Sequence, residues 1–173
     1  MATIVRKISA LIAQALVTPF NQLRLDLLKI KVGTIFHADA SAAIATANAT
    51  DLATSVALVN AEKAWYNAHC ASACDATTGQ GAHIAADAAN TVATADATDL
   101  ASGITLGNAI KAKYNTHRAA TAYHPTADAT NTITSADATD QASLNTLLNE
   151  IKTDMSAHAA AALTSSAISV VPA

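Results

Sequence analysis

The sequence predicts an all-α fold: an N-terminal helical arm followed by three helix-plus-connector repeats that pack as an oligomeric helical bundle. Three observations predict it. Alanine and threonine supply 45 and 22 of the 173 residues, while glycine and proline number only 5 and 3, which disfavours a turn-rich β-barrel. Apolar residues recur at helical spacing and do not alternate as they would in strands. One sequence unit occurs three times.

Charge and repetition divide the chain into three parts. Residues 1–36 form a basic amphipathic helical arm, 37–160 an alanine-rich body of three repeats, and 161–173 an apolar C-terminal tail. The arm carries five basic residues and one acidic residue, whereas residues 37–173 carry five basic and twelve acidic residues. Such asymmetry is typical of docking onto an acidic partner, or of the solvated face of a packing helix.

The arm has an apolar stripe at helical spacing, which predicts a first amphipathic helix, and a second helix is expected after Pro19. We expect these helices to make subunit interfaces through six apolar residues: Ile4, Ile8, Leu11, Ile12, Leu23 and Leu27. No apolar run reaches the roughly 18 residues that cross a bilayer, so no membrane association is predicted. The arm contains no nucleic-acid-binding motif, so direct nucleic-acid binding is not expected.

The repeated unit is marked by Ala-Thr-Asp at 49–51, 97–99 and 138–140. Eighteen residues after each of these aspartates comes a histidine: His69, His117 and His158. A helix of about twenty residues is expected to run between the two positions. Residues that commonly cap helix N-termini stand at the start of each such helix. The predicted N-caps are Asn48, Asp96 and Asp137, and the carboxylates expected at the third helical position are those of Asp51, Asp99 and Asp140.

The connectors of the second and third repeats share the pattern H-x-x-x-D-x-x-N. His83 and Asp87 are four residues apart, as are His124 and Asp128, so each pair would share a face of a helical segment. An imidazole and a carboxylate from successive repeats would suit a divalent metal ion. The alternative is a histidine hydrogen-bonded to a carboxylate at a helix end. The first repeat has Ile35 at this histidine position, and the pattern leaves parallel and antiparallel helices open.

Cys70 and Cys74 lie between the first and second repeats, in the spacing H-C-x3-C-x8-H. This spacing matches no common zinc finger, and two cysteines four apart on a regular helix are poorly placed for a mutual disulfide. Zinc binding, a disulfide within or between subunits, and free thiols all remain open at this point.

Trp65, Tyr66 and Tyr114 fall in the repeated helices and are predicted to be packing or interface residues. The chain has no Glu-x-x-His pair, no Gly-rich phosphate loop, no nucleophile elbow and no His-Glu-x-x-His stretch. The protein is therefore expected not to be an enzyme, and no cofactor is expected beyond the divalent metal that the His/Asp pairs would take.

The segments LVNAEKAWYNAH and LGNAIKAKYNTHRAATAYHPTADATNTITSADATDQAS resemble repeat proteins encoded among the virion structural genes of tailed bacteriophages. The resemblance covers about residues 37–160 and lies in the Tyr-Asn-x-His helix end and the connector that follows. It implies a non-enzymatic virion component, such as a capsid decoration, collar or fibre-base protein. Its implied partners are further copies of itself and other virion proteins, such as capsid or neck components. The alternative is a metal-binding helical module or metalloenzyme that uses the repeated His/Asp pairs.

Overall fold

The computed structural model describes residues 30–31, 35–37, 43–73, 82–124, 126–164 and 169–170. Three helices of twenty residues form the body: α1 (Leu52–Ala71), α2 (Leu100–Ala119) and α3 (Gln141–Ala160). Short strands flank them at both ends of the chain: β1 (Ile30–Lys31), β2 (Ile35–His37), β3 (Ala162–Thr164) and β4 (Ser169–Val170). The all-α prediction is confirmed for the body, with one helix in each repeat. None of the described helices combines the length and apolar character needed to cross a membrane.

The three helices run parallel, which settles the direction that the sequence left open. Near their N-termini, the Ser55 hydroxyl of α1 donates to Asn145 Oδ1 of α3 at 2.6 Å. At the opposite end, the imidazoles of the last turns lie side by side, with ring centroids 5.2 Å apart for His69 and His117. Each helix also packs against both of the others. The connectors must therefore return the chain along the outside of the bundle.

Each helix begins with a reciprocal capping box, three residues later than the predicted N-caps. The true N-caps are Asp51, Asp99 and Asp140, whose carboxylates accept from the backbone of Thr54, Ser102 and Ser143. The hydroxyl at that third position accepts from the N-cap amide in return, so two unpaired amides are satisfied at each helix start. The prediction was wrong because it placed each N-cap one turn too early. It therefore assigned the true N-caps, Asp51, Asp99 and Asp140, to the first turn of the helix.

The predicted caps Asn48, Asp96 and Asp137 instead accept from lysines of a neighbouring helix. Lys63 bonds Asp96 at 2.7 Å, Lys111 bonds Asp137 at 2.7 Å, and Lys152 bonds Asn48 at 2.9 Å. These contacts join the first repeat to the second, the second to the third, and the third back to the first. The three repeats therefore form a closed ring with approximate threefold symmetry.

An asparagine repeated in each helix joins the same ring, because its side chain makes two hydrogen bonds to the backbone of the next connector. Asn60 donates to the Ala97 carbonyl at 3.0 Å and accepts from the Ala97 amide at 2.8 Å. Asn108 does the same with Ala138, and Asn149 with Ala49. Because each side-chain amide satisfies a donor and an acceptor of the next connector, the connectors are held against the helices without forming a sheet.

The core lies along the axis between the helices and is built of aliphatic and aromatic side chains. Its fully buried members include Leu58, Leu106, Leu144, Leu147, Leu148, Ile110, Ile151, Tyr66, Tyr114 and Met155. Gly107 of α2 lets two leucines of α3 approach closely, since a Cβ there would stand 3.3 Å from a methyl of Leu144 and of Leu148. Glu62 is fully buried in the same core at the repeat position of Ile110 and Ile151.

The described ends of the chain pair with each other. Ile30 pairs with Val170 and Phe36 with Leu163 in two antiparallel ladders, so the tail adds to a segment of its own chain. The expected helix after Pro19 does not extend through Ile30, which lies in β1. The interface residues predicted for the arm, from Ile4 to Leu27, lie outside the described residues, as does Cys74.

Candidate metal centre

Among the described side chains, five histidines meet where the three helices end. One ring nitrogen from each lies within 4.8 Å of the corresponding nitrogen of all the others, and all five residues are buried. Four are fully inaccessible to solvent and His69 retains 9% of its exposure. The five members of this histidine cluster are His69, His83, His117, His124 and His158.

The helices supply three members of the cluster through their inward-facing stripe. In α1, Ser55, Leu58, Glu62, Tyr66 and His69 are buried and follow one another at intervals of three or four residues. Residues at these intervals line one face of a helix. Because all three helices begin at equivalent caps, have equal length and run parallel, the histidine eighteen residues after each cap arrives at the same level.

The connectors supply the other two members, each fixed by a backbone carbonyl. The Nδ1 atom of His83 lies 3.1 Å from the Ser72 carbonyl oxygen, which also accepts from the His83 amide. The Nδ1 atom of His124 lies 3.2 Å from the Ala120 carbonyl oxygen. A carbonyl oxygen can only accept a hydrogen bond, so Nδ1 carries the proton in both residues. The neutral ring then has its lone pair on Nε2.

Two helix histidines are fixed in the same way by buried carboxylates. His117 Nδ1 lies 2.8 Å from Asp87 Oδ2, and His158 Nδ1 lies 2.8 Å from Asp128 Oδ2. Asn90 holds Asp87 through its backbone and side-chain amides, and Asn131 holds Asp128 likewise. The repeated H-x-x-x-D-x-x-N pattern thus encodes a cluster histidine, a carboxylate that orients a second cluster histidine, and an asparagine that orients the carboxylate.

The Nε2 atoms that these contacts leave facing inward are very close together. His69 Nε2 lies 3.1 Å from His83 Nε2 and 3.3 Å from His117 Nε2. Two ligands of a tetrahedral zinc ion with bonds of about 2.05 Å would be separated by about 3.3 Å. Nitrogens at this spacing are therefore placed as the ligands of one ion.

Burial favours the neutral form of three cluster histidines. It lowers the pKa of His83 and of His124 to about 3, with the neighbouring histidines adding to the effect, and it lowers the pKa of His117. Burial would raise the pKa of the Asp87 carboxyl, but hydrogen bonds from Asn90 and His117 outweigh it and hold that pKa below its ordinary value. The pKa of Asp128 is lowered in the same balance, through His158 and Asn131. Neutral imidazoles beside ionised carboxylates are the protonation states that bind metals.

The structure separates the residues that the sequence had paired. His83 and His124 belong to the cluster, but Asp87 and Asp128 lie one layer further out, against His117 and His158. The expected helical face for His83 and Asp87 is wrong, because residues 82–90 contain no helix. The metal site predicted from the sequence did not include His69, His117 and His158. Their constant distance of eighteen residues from the helix caps indicates that they lie at one level of a parallel bundle, and it was the signal for their place in the site.

The remaining candidates lie beside the cluster. Cys70 is a buried free thiol whose Sγ atom lies 4.0 Å from His117 Nδ1, and burial raises its pKa to about 12. Tyr66 and Tyr114 are fully buried within the chain, which places them in its own core and not at an interface between subunits. Trp65 stacks on His69, with centroids 5.0 Å apart and planes 7° from parallel. Trp65 is the single tryptophan of the chain and therefore reports directly on the cluster.

Searches of protein-family models, curated proteins and solved structures found no match to this chain. What the cluster does must therefore be argued from its geometry.

Proposed function

We propose that the helical body is a metal-binding module that holds one divalent transition-metal ion among the five histidines. The observation that carries the proposal is the convergence of five buried ring nitrogens within 4.8 Å. Buried polar groups normally face partners of opposite character. Here several basic nitrogens face one another, an arrangement that a central cation converts from repulsive to attractive.

The tautomers support a metal ion over a set of hydrogen bonds among the rings. Nδ1 of His83 and His124 donates to carbonyls, and Nδ1 of His117 and His158 faces carboxylates. Four of the five rings therefore offer a lone pair at Nε2. Metal-ligating histidines commonly donate their other nitrogen to a carboxylate or a carbonyl in this way, which fixes the ring and makes the ligand more basic.

The charge around the cluster favours a cation. Ligating imidazoles are neutral, and among the described residues the Asp87 and Asp128 carboxylates place two negative charges directly behind them. In addition, the C-termini of α1, α2 and α3 meet at this end of the bundle, and the negative ends of their dipoles favour a cation there. Imidazole ligands suit iron, nickel, copper and zinc, whereas magnesium and calcium prefer oxygen.

The proposal is tested by loading the full chain with iron(II), cobalt(II), nickel(II), copper(II) and zinc(II) separately and measuring bound metal after desalting. We expect one equivalent of at least one ion, with a change in Trp65 fluorescence that saturates at the same ratio. The double variant H83A/H124A keeps all three helices and should lose stoichiometric binding. The variant D96A, which removes an exposed carboxylate that bonds Lys63, is the matched control and should retain it. Less than a tenth of an equivalent for every ion would refute the proposal.

A second prediction concerns the outer carboxylates. Replacing Asp87 or Asp128 with alanine should weaken metal affinity about 10–100-fold, because outer partners of ligating histidines typically contribute that much. Competition against a chromophoric chelator measures the change. The control is D96A, which removes an exposed carboxylate that bonds Lys63 far from the cluster. Equal affinities for D87A, D128A and D96A would show that the carboxylates do not orient ligands.

From the resemblance of the repeats, we also propose that the protein is a non-enzymatic virion component that assembles into homo-oligomers. Sizing the protein with and without residues 1–36 tests the assembly. A full-length chain that remains monomeric at high micromolar concentration would argue against an assembling particle component, and it would leave the metal-binding proposal untouched.

A further inference from the structure

We propose that Glu62 is a proton-linked partner of the metal centre, so that binding of the ion to the histidine cluster drives a proton from the buried Glu62 carboxyl into solution. In this step the O–H bond breaks, both of its electrons stay on the carboxylate, and the proton passes to the buffer. The inference rests on the proposed metal binding. It adds a regulation of the same site, in which affinity for the ion rises with pH through a residue that is not a ligand.

Glu62 lies in the core of the bundle, in line with the histidine cluster. It belongs to the inward-facing stripe of α1, in which Tyr66 and then His69 follow it at intervals of four and three residues. Seven residues of helix, at about 1.5 Å each, place Glu62 about 10 Å from His69 along the axis. The layer between them consists of three fully buried side chains at equivalent repeat positions: Tyr66, Tyr114 and Met155. Glu62 can therefore act on the cluster through its charge.

The Glu62 carboxyl has no local partner that explains its presence in the core. The side chain is fully inaccessible to solvent, and among the described residues neither carboxylate oxygen has a hydrogen-bond partner. The second and third repeats carry Ile110 and Ile151 at this position, so packing at this level requires only an aliphatic side chain. Burying an ionisable group without a partner destabilises the fold. A buried ionisable group that packing does not require is a candidate for a functional role.

The charged group that acts on Glu62 from a neighbouring helix is Lys152 of α3. Burial raises the pKa of the Glu62 carboxyl well above its ordinary value of 4.5, and the charge of Lys152 opposes this effect. The Lys152 ammonium group itself bonds the Thr46 carbonyl oxygen at 2.6 Å and Asn48 Oδ1 at 2.9 Å. It does not hydrogen-bond Glu62. In the ion-free protein the carboxyl consequently keeps its proton well above pH 4.5, and a further positive charge nearby would remove it.

The other two helices add no charge that acts on this carboxyl. On α2 the residue at the same level is Ile110. Lys63 of α1 and Lys111 of α2, the repeat equivalents of Lys152, bond exposed carboxylates of the connectors, Asp96 and Asp137. In the described part of the chain, Lys152 is thus the charged side chain that influences Glu62, and a cation in the histidine cluster would be the next.

An ion in the cluster is close enough to change the ionisation of Glu62. A charge of +2 about 10 Å from a carboxylate, at an effective dielectric constant of about 20, favours the ionised form about 100-fold. Coupling between two binding events is reciprocal, so an ionised Glu62 tightens ion binding by the same factor. Between the pKa values that this carboxyl has in the ion-free and the ion-bound protein, the affinity therefore rises by up to about tenfold per pH unit.

The test counts the protons that the full chain releases when it binds zinc(II), and in parallel nickel(II). Calorimetric titrations in two buffers of different ionisation enthalpy give this count, and repeating them between pH 6 and 8 gives the affinity profile. We expect the wild type to release about half a proton or more per ion beyond E62Q, which keeps the size of the side chain but cannot ionise. The ratio of the wild-type affinity to the E62Q affinity should grow with pH, which the loss of a purely structural role would not cause.

E150Q is the matched control, because Glu150 is the other glutamate of the chain. Burial would raise the pKa of its carboxyl, but hydrogen bonds from Ser135 and Thr134 outweigh this effect and lower it. Glu150 is therefore ionised before the ion binds and has no proton to release. E150Q should release as many protons per ion as the wild type.

Infrared difference spectra of the wild type provide a measurement that does not depend on a folded variant. The loaded protein should lack the carbonyl stretch of one protonated carboxyl that the stripped protein shows, and E62Q should show no such change. Equal proton counts for the wild type and E62Q across the pH range, or a loaded wild type that keeps this carboxyl protonated, would overturn the inference and leave metal binding intact. A reduced proton count in E150Q would also overturn it. Failure to bind any of the ions would instead refute the proposed function itself.

Discussion

Chelation of the bound ion should lower the melting temperature of the protein by about 10 °C or more. An ion present at a thousand times its dissociation constant contributes about 4 kcal/mol to the folded state, and each kcal/mol shifts the melting temperature of a chain this size by about 2–4 °C. The ion is linked to folding of the whole body because its ligands come from all three repeats, so the complete site exists only in the folded state. Removal of the ion leaves the Nε2 atoms of His69 and His83 facing each other at 3.1 Å.

The measurement is a thermal melt followed by circular dichroism, before and after exhaustive chelation, with metal content determined on the same samples. Restoring the ion should restore the melting temperature. The double variant H83A/H124A should melt at the same temperature with and without the ion. Superimposable melts of loaded and stripped wild-type protein would show that the cluster does not couple metal binding to folding.

The metal-free protein should also lose stability on acidification. The pKa values of His83 and His124 are lowered to about 3 in the folded protein, so the unfolded chain, whose histidines titrate near 6.5, takes up more protons. Stability is therefore complete above about pH 6.5 and falls as the pH decreases toward 3. H83A/H124A should show a shallower decrease over the same interval.

The helices of the body could be predicted from the sequence because their signals are local. Each capping box lies within four residues, and each inward stripe repeats at three or four residues. The predicted caps were nevertheless one turn early, since Asp51 and its equivalents take a threonine or serine as their partner in place of the usual glutamate or glutamine. Asn48 and its equivalents are acceptors for a neighbouring helix, which no local pattern reveals.

The site could be predicted only in part because its geometry is set by helix direction. His83 and His124 were found through a spacing within one connector. The partner of Asp87 is His117, thirty residues away, and the two meet only when the connector runs back along a parallel bundle.

Replacing Glu62 with isoleucine should stabilise the protein by about 1–4 kcal/mol at pH 7, as is typical when apolar residues of similar volume replace buried ionic groups. Glu62 is fully buried at the position that Ile110 and Ile151 occupy in the other repeats, and among the described residues neither carboxylate oxygen has a hydrogen-bond partner. Burial raises the pKa of this carboxyl well above 4.5, although Lys152 opposes the shift. The unfolded chain ionises near pH 4.5, so each further pH unit at which the folded carboxyl stays protonated costs about 1.4 kcal/mol.

The sign of this pH dependence distinguishes Glu62 from the histidine cluster. A raised carboxyl pKa means that the folded protein holds more protons, so this contribution is greatest below about pH 4.5 and is lost as the pH rises toward the folded value. Urea unfolding of the wild type and E62I between pH 5 and 8 measures the difference in the free energy of unfolding, in which the shared histidine contribution cancels. The difference should grow with pH. E62Q removes the titration but keeps a polar group in the core, so its gain should be smaller than that of E62I. A difference that is independent of pH would mean that the Glu62 carboxylate stays ionised in the folded core, stabilised by Lys152, and the gain expected from E62I would then come from packing alone.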